Sequence, residues 1–246
     1  MIIEHNDLSI VLEVVAPHTL VLFDLDNTLI KNAQSLGSPE WFTYFHQKLR
    51  ASGLPDKEAY QEVLATYLAV NKVAQVELVC ETAPPVLTQL HLYASVGFLT
   101  AREVALVGVT LKHLQELELT ASPCWERHSC FSLKASTKGH FTKGAIFTGG
   151  ADKGQCLLEV LGQIKHLPDK VVFVDDQEKS LLQVQTALEP QKIPFLGIRY
   201  SKLDAAVASL SPEVCDVQLE KFWLEMLNSP PANTPAYDHS PFPQPA

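Results

Sequence analysis

Four short apolar runs recur along the chain, and helix-like patterns separate them. The apolar runs lie at 19–25, 95–99, 171–174 and 193–198. The helical patterns cover 84–93, 103–119, 154–165 and 178–188. Apolar runs of this length, without polar alternation, are typical of strands buried on both faces of a parallel sheet. Because such strands alternate with helices, the sequence predicts an α/β fold.

Two segments, 31–82 and 120–150, do not follow this alternation, and the second carries short strand-like pieces with little helical period. Residues 31–82 carry two amphipathic helical stretches, at 40–50 and 56–79. We therefore predict one core domain formed by 1–30 and 83–228, with 31–82 as a small helical cap insertion. Such an insertion could cover the mouth of an active site, or it could simply elaborate the surface of one domain.

The C-terminal segment 229–246 is rich in proline and holds six of the sixteen prolines in the chain. Proline fixes φ and removes a backbone hydrogen-bond donor, which disfavours helices and central strands. We predict a disordered Pro-rich tail here, and a linker or a partner-recognition motif is the functional alternative.

Two of the predicted strands end in paired carboxylates. Asp24 and Asp26 lie at the end of the first apolar run, and Asp175 and Asp176 directly follow the third. The carboxyl ends of parallel strands share one edge of a sheet, where α/β proteins place their ligands. Either pair alone is compatible with a solvated loop, but two pairs at one edge favour a shared divalent cation, since hard cations take oxygen ligands.

A third predicted strand, 95–99, runs into Thr100, Ala101 and Arg102, and a helical pattern follows. A hydroxyl group and free backbone amides at the start of a helix suit an anion such as phosphate. Arg102 could reach a substrate, or it could be a surface residue of the first helical turn.

These residues resemble the four motifs of the haloacid dehalogenase (HAD) superfamily, in the same order along the chain. The matching segments are Phe23-Asp24-Leu25-Asp26-Asn27-Thr28, Leu99-Thr100, Gly149 to Gly154 with Lys153, and Val174-Asp175-Asp176. A closer resemblance, carried by 98–102, 147–150 and 197–200, is to an uncharacterised HAD family of Gram-negative bacteria that live inside host cells. The resemblance implies a Rossmann-like core, with a parallel sheet and helices on both faces, plus a mainly helical cap.

The resemblance also implies roles for individual residues in a phosphatase. Asp24 is the implied nucleophile, which forms an aspartyl-phosphate, and Asp26 is the implied general acid and base. Thr100, Ala101 and Lys153 are implied to bind the phosphoryl group. The acid at position 26 favours the phosphatase branch, since the haloacid dehalogenases lack an acid there.

The implied cofactor is Mg²⁺, held by Asp24, by the backbone carbonyl of Asp26, and by Asp175 or Asp176. We favour Asp176 as the direct ligand. Lys143 competes with Lys153 as the motif lysine because both precede a glycine. We prefer Lys153, since a helical pattern begins immediately after it.

The leading hypothesis is therefore a Mg²⁺-dependent phosphomonoester hydrolase. Two alternatives remain open at this point: a phosphotransferase of the same fold, and a protein that uses the fold only to bind a partner. The expected partner is a small phosphorylated substrate or a phosphoprotein. Trp41, Phe42, Tyr44 and Phe45 could stack on an aromatic leaving group, or they could pack the insertion against the core.

Charge and hydropathy exclude several other classes of protein. The 19 basic and 28 acidic residues give a net charge of −9, which argues against nucleic acid and anionic membranes as partners. No apolar run reaches the roughly 18 residues of a membrane span, which excludes an integral membrane pump. The oligomeric state stays open.

The N-terminus has no basic region followed by an uninterrupted apolar run, so we predict no signal peptide. The expected location is the cytoplasm, with export by a leaderless secretion route as the alternative. The five cysteines are scattered and are expected to be reduced thiols.

Overall fold

Eight strands form one sheet in this computed structural model, which describes residues 1–228. In chain order they are β1 (Ile2–His5), β2 (Thr19–Phe23), β5 (Ser95–Thr100), β6 (Phe131–Ser132), β7 (His140–Thr142), β8 (Ala145–Phe147), β9 (Lys170–Asp175) and β10 (Phe195–Tyr200). A separate antiparallel ribbon consists of β3 (Ile30–Asn32) and β4 (Val76–Leu78). The α/β fold predicted from the sequence is confirmed.

The strand order is β1-β10-β9-β2-β5-β8-β7-β6, and all neighbours from β1 to β8 run parallel. The last two strands, β7 and β6, depart from the predicted parallel sheet because each is antiparallel to its neighbour. Only Lys143 and Gly144 connect β7 to β8, and both have positive φ, 49° and 76°. A two-residue hairpin can join only antiparallel strands, so this edge of the sheet is antiparallel.

Helices cover both faces of the sheet. Those in the described residues are α1 (Ile10–Val14), α2 (Pro39–Ala51), α3 (Asp56–Asn71), α4 (Ala83–Leu90), α5 (Val107–Glu116), α6 (Pro123–Glu126), α7 (Lys153–Ile164), α8 (Glu178–Leu188), α9 (Asp204–Ala208) and α10 (Pro212–Asn228). Short 3₁₀ turns lie at Val104–Leu106 and Glu189–Gln191.

The alternation of side chains along β2 shows how the two faces are filled. Val21 and Phe23 pack in the core layer that contains α1, α4 and α5. Leu20 and Leu22 point the other way, into the layer that contains α7 and α8. All four side chains are fully buried, as expected for a central strand of a doubly covered sheet.

Residues 31–82, called the cap segment below, contain α2, α3 and most of the β3–β4 ribbon. The predicted helix 56–79 is wrong beyond Asn71, where α3 ends. Residues Val76–Leu78 instead form an antiparallel pair with Ile30–Asn32. The two ends of the cap segment therefore lie next to each other. Trp41 is fully buried between the cap helices and α10, and the Tyr44 hydroxyl donates to Asp216 of α10 at 2.9 Å.

The strands that carry the predicted motifs are neighbours at the centre of the sheet. Phe23 of β2 is level with Val174 of β9 on one side and with Phe98 of β5 on the other. The residues that follow Phe23 and Val174 are Asp24 and Asp175. The sheet register therefore brings the two acidic motifs together at the carboxyl ends of the parallel strands.

Three further sequence predictions concern the C-terminal tail, the cysteines and membrane-spanning helices. The predicted disordered tail at 229–246 lies outside the described residues. All five cysteines are free thiols. Within residues 1–228, no helix has both the length and the apolar character needed to cross a bilayer.

Candidate active site

The loop after β2 presents the first acidic motif. The Asp24 amide donates to the Val174 carbonyl at 2.9 Å, which continues the β2–β9 pairing by one residue. The chain then turns sharply, since the amides of Thr28, Leu29 and Ile30 all donate to the Leu25 carbonyl. Asn27 adopts a positive φ of 61°, a conformation that asparagine tolerates better than most residues.

Three carboxylates meet at the carboxyl ends of β2 and β9. One oxygen each from Asp24, Asp175 and Asp176 lies within 4.8 Å of the others. The Lys153 ammonium donates to Asp24 Oδ1 at 2.6 Å and to Asp175 Oδ2 at 2.7 Å. Asp24, Asp175 and Lys153 are buried, whereas Asp176 is half-buried. One ammonium group thus contacts two buried carboxylates, and a third carboxylate lies beside them.

This crowding changes the pKa values of the cluster. Burial raises the pKa of Asp24 well above its ordinary range; Lys153 opposes the shift, and Asp175 and Asp176 add to it. Burial, followed by repulsion from Asp175, raises the pKa of Asp176 to about 7. Burial lowers the pKa of Lys153, but Asp175 and Asp24 outweigh burial, so its pKa is raised and it stays charged.

Lys153 is placed by the first turn of α7. The Asp152 carboxylate caps this helix by accepting from the Gln155 amide at 2.8 Å. The Lys153 amide donates to Gln183 Oε1 of α8 at 3.1 Å. Lys143, the competing candidate, is exposed in the β7–β8 turn.

The Asp26 carboxylate pairs with Arg102. The guanidinium donates from Nε to Asp26 Oδ2 at 2.9 Å and from Nη2 to Oδ1 at 2.7 Å. Its Nη1 donates to Thr110 Oγ1 at 3.0 Å, and only 3% of Arg102 is exposed. Arg102 is therefore a buried partner of Asp26 and not a surface residue. Because the pair joins loops that follow different strands, no local pattern in the sequence signals it.

The loops after β5 and β8 are joined by backbone hydrogen bonds. The amides of Thr148, Gly149 and Gly150 donate in turn to the carbonyls of Thr100, Arg102 and Ala101, at 2.9, 3.0 and 3.0 Å. An added Cβ on Gly149 would lie 3.0 Å from the Lys138 backbone, and its φ is +59°, so both space and conformation require glycine there.

The predicted phosphate-binding residues Thr100 and Ala101 take different positions. Thr100 is fully buried, and its hydroxyl accepts from the Arg102 amide at 3.2 Å. Ala101 lines the cavity described below, and its amide donates to none of the residues 1–228. Ala101, and not Thr100, is thus the residue of this motif that lines the cavity.

A cavity of about 550 Å³ opens above the carboxylates. Its floor includes Asp24, Asp26, Ala101, Arg102, Lys153, Asp175 and Asp176. The cap segment forms much of the opposite wall, with Phe42 on α2 and Tyr60 and Tyr67 on α3. The Asn27 amide group donates to Glu40 Oε2 of α2 at 3.1 Å, which links the floor to the cap segment.

The donor set fits a hard divalent cation. Three carboxylates against one ammonium leave two negative charges in excess when all are ionised, and Mg²⁺ prefers oxygen ligands. The Asp26 carbonyl, implied as a further ligand, accepts no hydrogen bond from residues 1–228. Asp175 Oδ1 accepts from the Gln177 amide at 2.7 Å and Oδ2 accepts from Lys153, so the half-buried Asp176 is better suited than Asp175 to face an ion.

The raised pKa of Asp176 predicts an unusual pH dependence for the metal-free protein. Between pH 3.8, the ordinary pKa of this side chain, and about 7, folded Asp176 keeps a proton that the unfolded chain has released. Its contribution to stability therefore falls as pH rises through this window. We expect that, in EDTA, raising the pH from 5 to 7.5 lowers the urea midpoint of the wild type relative to that of Asp176→Asn. Parallel pH profiles for the two proteins would contradict this assignment.

Comparison with known proteins places the chain among sequences without an assigned chemistry. Residues 2–229 match the family described as protein of unknown function (DUF2608). A relative from Chlamydia trachomatis serovar D is 25% identical over 199 residues, which cover 80% of this chain and 75% of the relative. A relative from Chlamydia pneumoniae is 24% identical over 230 residues, which cover 89% and 84%. Both relatives are named as candidate outer membrane proteins.

Among solved structures, a haloacid dehalogenase-like family hydrolase from Streptococcus pneumoniae is similar to this chain. The two are 16% identical and superpose with a TM-score of 0.45. The match covers 78% of this chain and 98% of that chain.

Proposed function

Since the chain belongs to the family of proteins of unknown function DUF2608, its chemistry has to be inferred from its own site, and we propose a magnesium-dependent phosphomonoester hydrolase. The observation that carries this proposal is the cluster of Asp24, Asp175 and Asp176 around Lys153 at the floor of a cavity. Clustered buried carboxylates repel one another, and a site that keeps them together is suited to a divalent cation. When bound, Mg²⁺ would offset the charge of the phosphoryl group and orient it.

Asp24 is the proposed nucleophile. Lys153 holds its Oδ1, while its Oδ2 accepts no hydrogen bond from the described residues and so stays available for attack. In the first step this oxygen bonds to phosphorus and the bond from phosphorus to the leaving oxygen breaks. An aspartyl-phosphate results. The proposed donor to a phosphoryl oxygen is the Ala101 amide, which donates to none of the residues 1–228.

Asp26 is the proposed acid and base. It gives a proton to the leaving oxygen in the first step and takes one from the attacking water in the second, when the bond between phosphorus and Asp24 breaks. Arg102 donates to both Asp26 oxygens and so fixes the orientation of the carboxyl group. Arg102 therefore acts as a positioning residue for Asp26.

The test of this proposal is hydrolysis of para-nitrophenyl phosphate by the purified protein, with Mg²⁺ and with EDTA. We expect turnover only with the metal, and Mg²⁺ binding that calorimetry detects in the absence of substrate. Equal rates in EDTA, or neither turnover nor Mg²⁺ binding, would overturn the proposal. Phosphate transfer to added glycerol in preference to water would instead identify a phosphotransferase.

A further inference from the structure

The wall of the cavity that faces the carboxylates is built from aromatic rings. Phe42 lies between Tyr60 and Tyr67, with 5.6 Å from its ring centroid to each of theirs, and both pairs meet edge to face. All three rings line the cavity, and Leu64 and Leu68 of α3 add apolar surface beside them. Burial raises the pKa of Tyr67, so its phenol stays protonated at neutral pH and brings no charge. This wall, called the aromatic wall below, consists of Phe42, Tyr60 and Tyr67.

Phe42 and Tyr67 pack against the core of the cap segment, whereas Tyr60 lies outside it. Tyr60 is 47% exposed and Phe42 is half-buried, although the cap segment has its own core around the fully buried Trp41. All four clustered aromatics of α2 lie in or against this core, and Phe42 alone of the four also lines the cavity. Partly exposed rings that converge on a cavity are suited to stacking on another ring.

The charged groups of the cavity argue against a charged leaving group. Its cations among the described residues are Lys153, Arg102 and Lys138, and each is already paired with a carboxylate. Lys138, at the rim, contacts Glu103 at 2.8 Å. A second phosphate or a carboxylate on the substrate would thus find no unpaired cation, and it would face Glu40 of the cap segment.

The volume sets an upper limit on the leaving group. Cavities of roughly 300–1,000 Å³ hold small organic ligands. The 550 Å³ here accommodates a phosphoryl group together with a group of one or two rings.

We infer that the substrates are phosphomonoesters whose leaving group is uncharged and carries an aromatic ring that packs on the aromatic wall. This inference rests on the proposed phosphatase function and names its substrate class. The floor binds the phosphoryl group, and the wall supplied by α2 and α3 selects what is attached to it.

The test compares 2-phenylethyl phosphate with ethyl phosphate. Both release primary alkoxides of similar reactivity, so a difference in kcat/KM reports the contact made by the ring. We expect a preference of about 10- to 100-fold for the phenylethyl ester. A para-carboxylate on the ring should remove most of that preference. In parallel, calorimetry on the Mg²⁺-loaded protein should find tighter binding of benzylphosphonate than of methylphosphonate.

Variants of the wall separate selection from folding. Tyr60→Leu and Phe42→Leu are expected to lower the preference for the ring to less than about fivefold, through a loss of kcat/KM for the phenylethyl ester. Tyr60 is the safer of the two because it is half exposed. The matched control is Tyr93→Leu, at a tyrosine of similar exposure that lies just before β5, at the end of the strand remote from the cavity. Tyr93→Leu should keep the full preference.

The outcomes distinguish this inference from the proposed function. Equal kcat/KM for the two esters, or a preference that survives both wall variants, would overturn the inference while hydrolysis stands. If no turnover is seen but benzylphosphonate still binds more tightly than methylphosphonate, the proposed hydrolase function is overturned and the assigned ligand class is supported. Absence of turnover with no preference between the phosphonates would overturn both.

Discussion

Replacing Asp24 with asparagine is expected to lower kcat for para-nitrophenyl phosphate by about 10⁴-fold, the scale seen when an enzyme loses its nucleophile. Asparagine keeps the shape of the side chain but cannot form the aspartyl-phosphate. Lys153 would keep its contact with Asp175 at 2.7 Å, so the local structure should survive the change. The measurement is steady-state hydrolysis at saturating Mg²⁺.

Asp169→Asn is the matched control for this variant. Asp169 is exposed and lies just before β9, at the end of the strand that is remote from the carboxylate cluster. We expect full activity for Asp169→Asn. If Asp24→Asn kept more than about a tenth of the wild-type rate, a loss far smaller than that of a nucleophile, Asp24 would not be the nucleophile.

The same pair of variants also reports on the metal. A ligand at 100 times its Kd stabilises a folded protein by about 2.7 kcal/mol, so saturating Mg²⁺ should raise the Tm of the wild type and of Asp169→Asn alike. Asp24→Asn removes one of the three carboxylates and should show a smaller rise. An equal rise in all three proteins would remove Asp24 from the metal site.

Gly154→Ala is expected to destabilise the fold by about 3 kcal/mol, at the upper end of the usual cost of overpacking. A Cβ at this position would lie 2.3 Å from the Gln183 carbonyl oxygen and 2.6 Å from the Ala187 Cβ. A backbone atom cannot move aside as a flexible side chain can, so α7 and α8 would have to separate. That movement would also shift the neighbouring Lys153, and we expect a loss of activity along with the loss of stability.

Gly162→Ala provides the matched control within the same helix. An added Cβ there meets nothing within 4 Å, so the substitution should stabilise α7 by about 0.5–1 kcal/mol through helix propensity. Urea denaturation in EDTA should therefore move the midpoint in opposite directions for the two variants. Shifts of the same sign would show that close packing of α7 on α8 does not govern the effect at Gly154.

The pattern of the sequence predicts the central features of the fold because they depend on local chemistry. Buried parallel strands need continuous apolar runs, and the runs ending at Asp24 and before Asp175 form β2 and β9 at the middle of the sheet. Since parallel strands end at one edge, the acidic residues after them meet there. The helix pattern that begins after Lys153 likewise predicts where α7 starts.

Contacts between distant segments are not encoded in any local pattern. The pairing of Arg102 with Asp26 and the end of α3 at Asn71 each depend on a partner far away in the chain. The antiparallel edge at β7 and β6 and the approach of Phe42 and Tyr60 to the cavity are of the same kind. Hydrophobic period and turn chemistry specify which segments form strands and helices, but which side chains face each other follows only from packing those elements together.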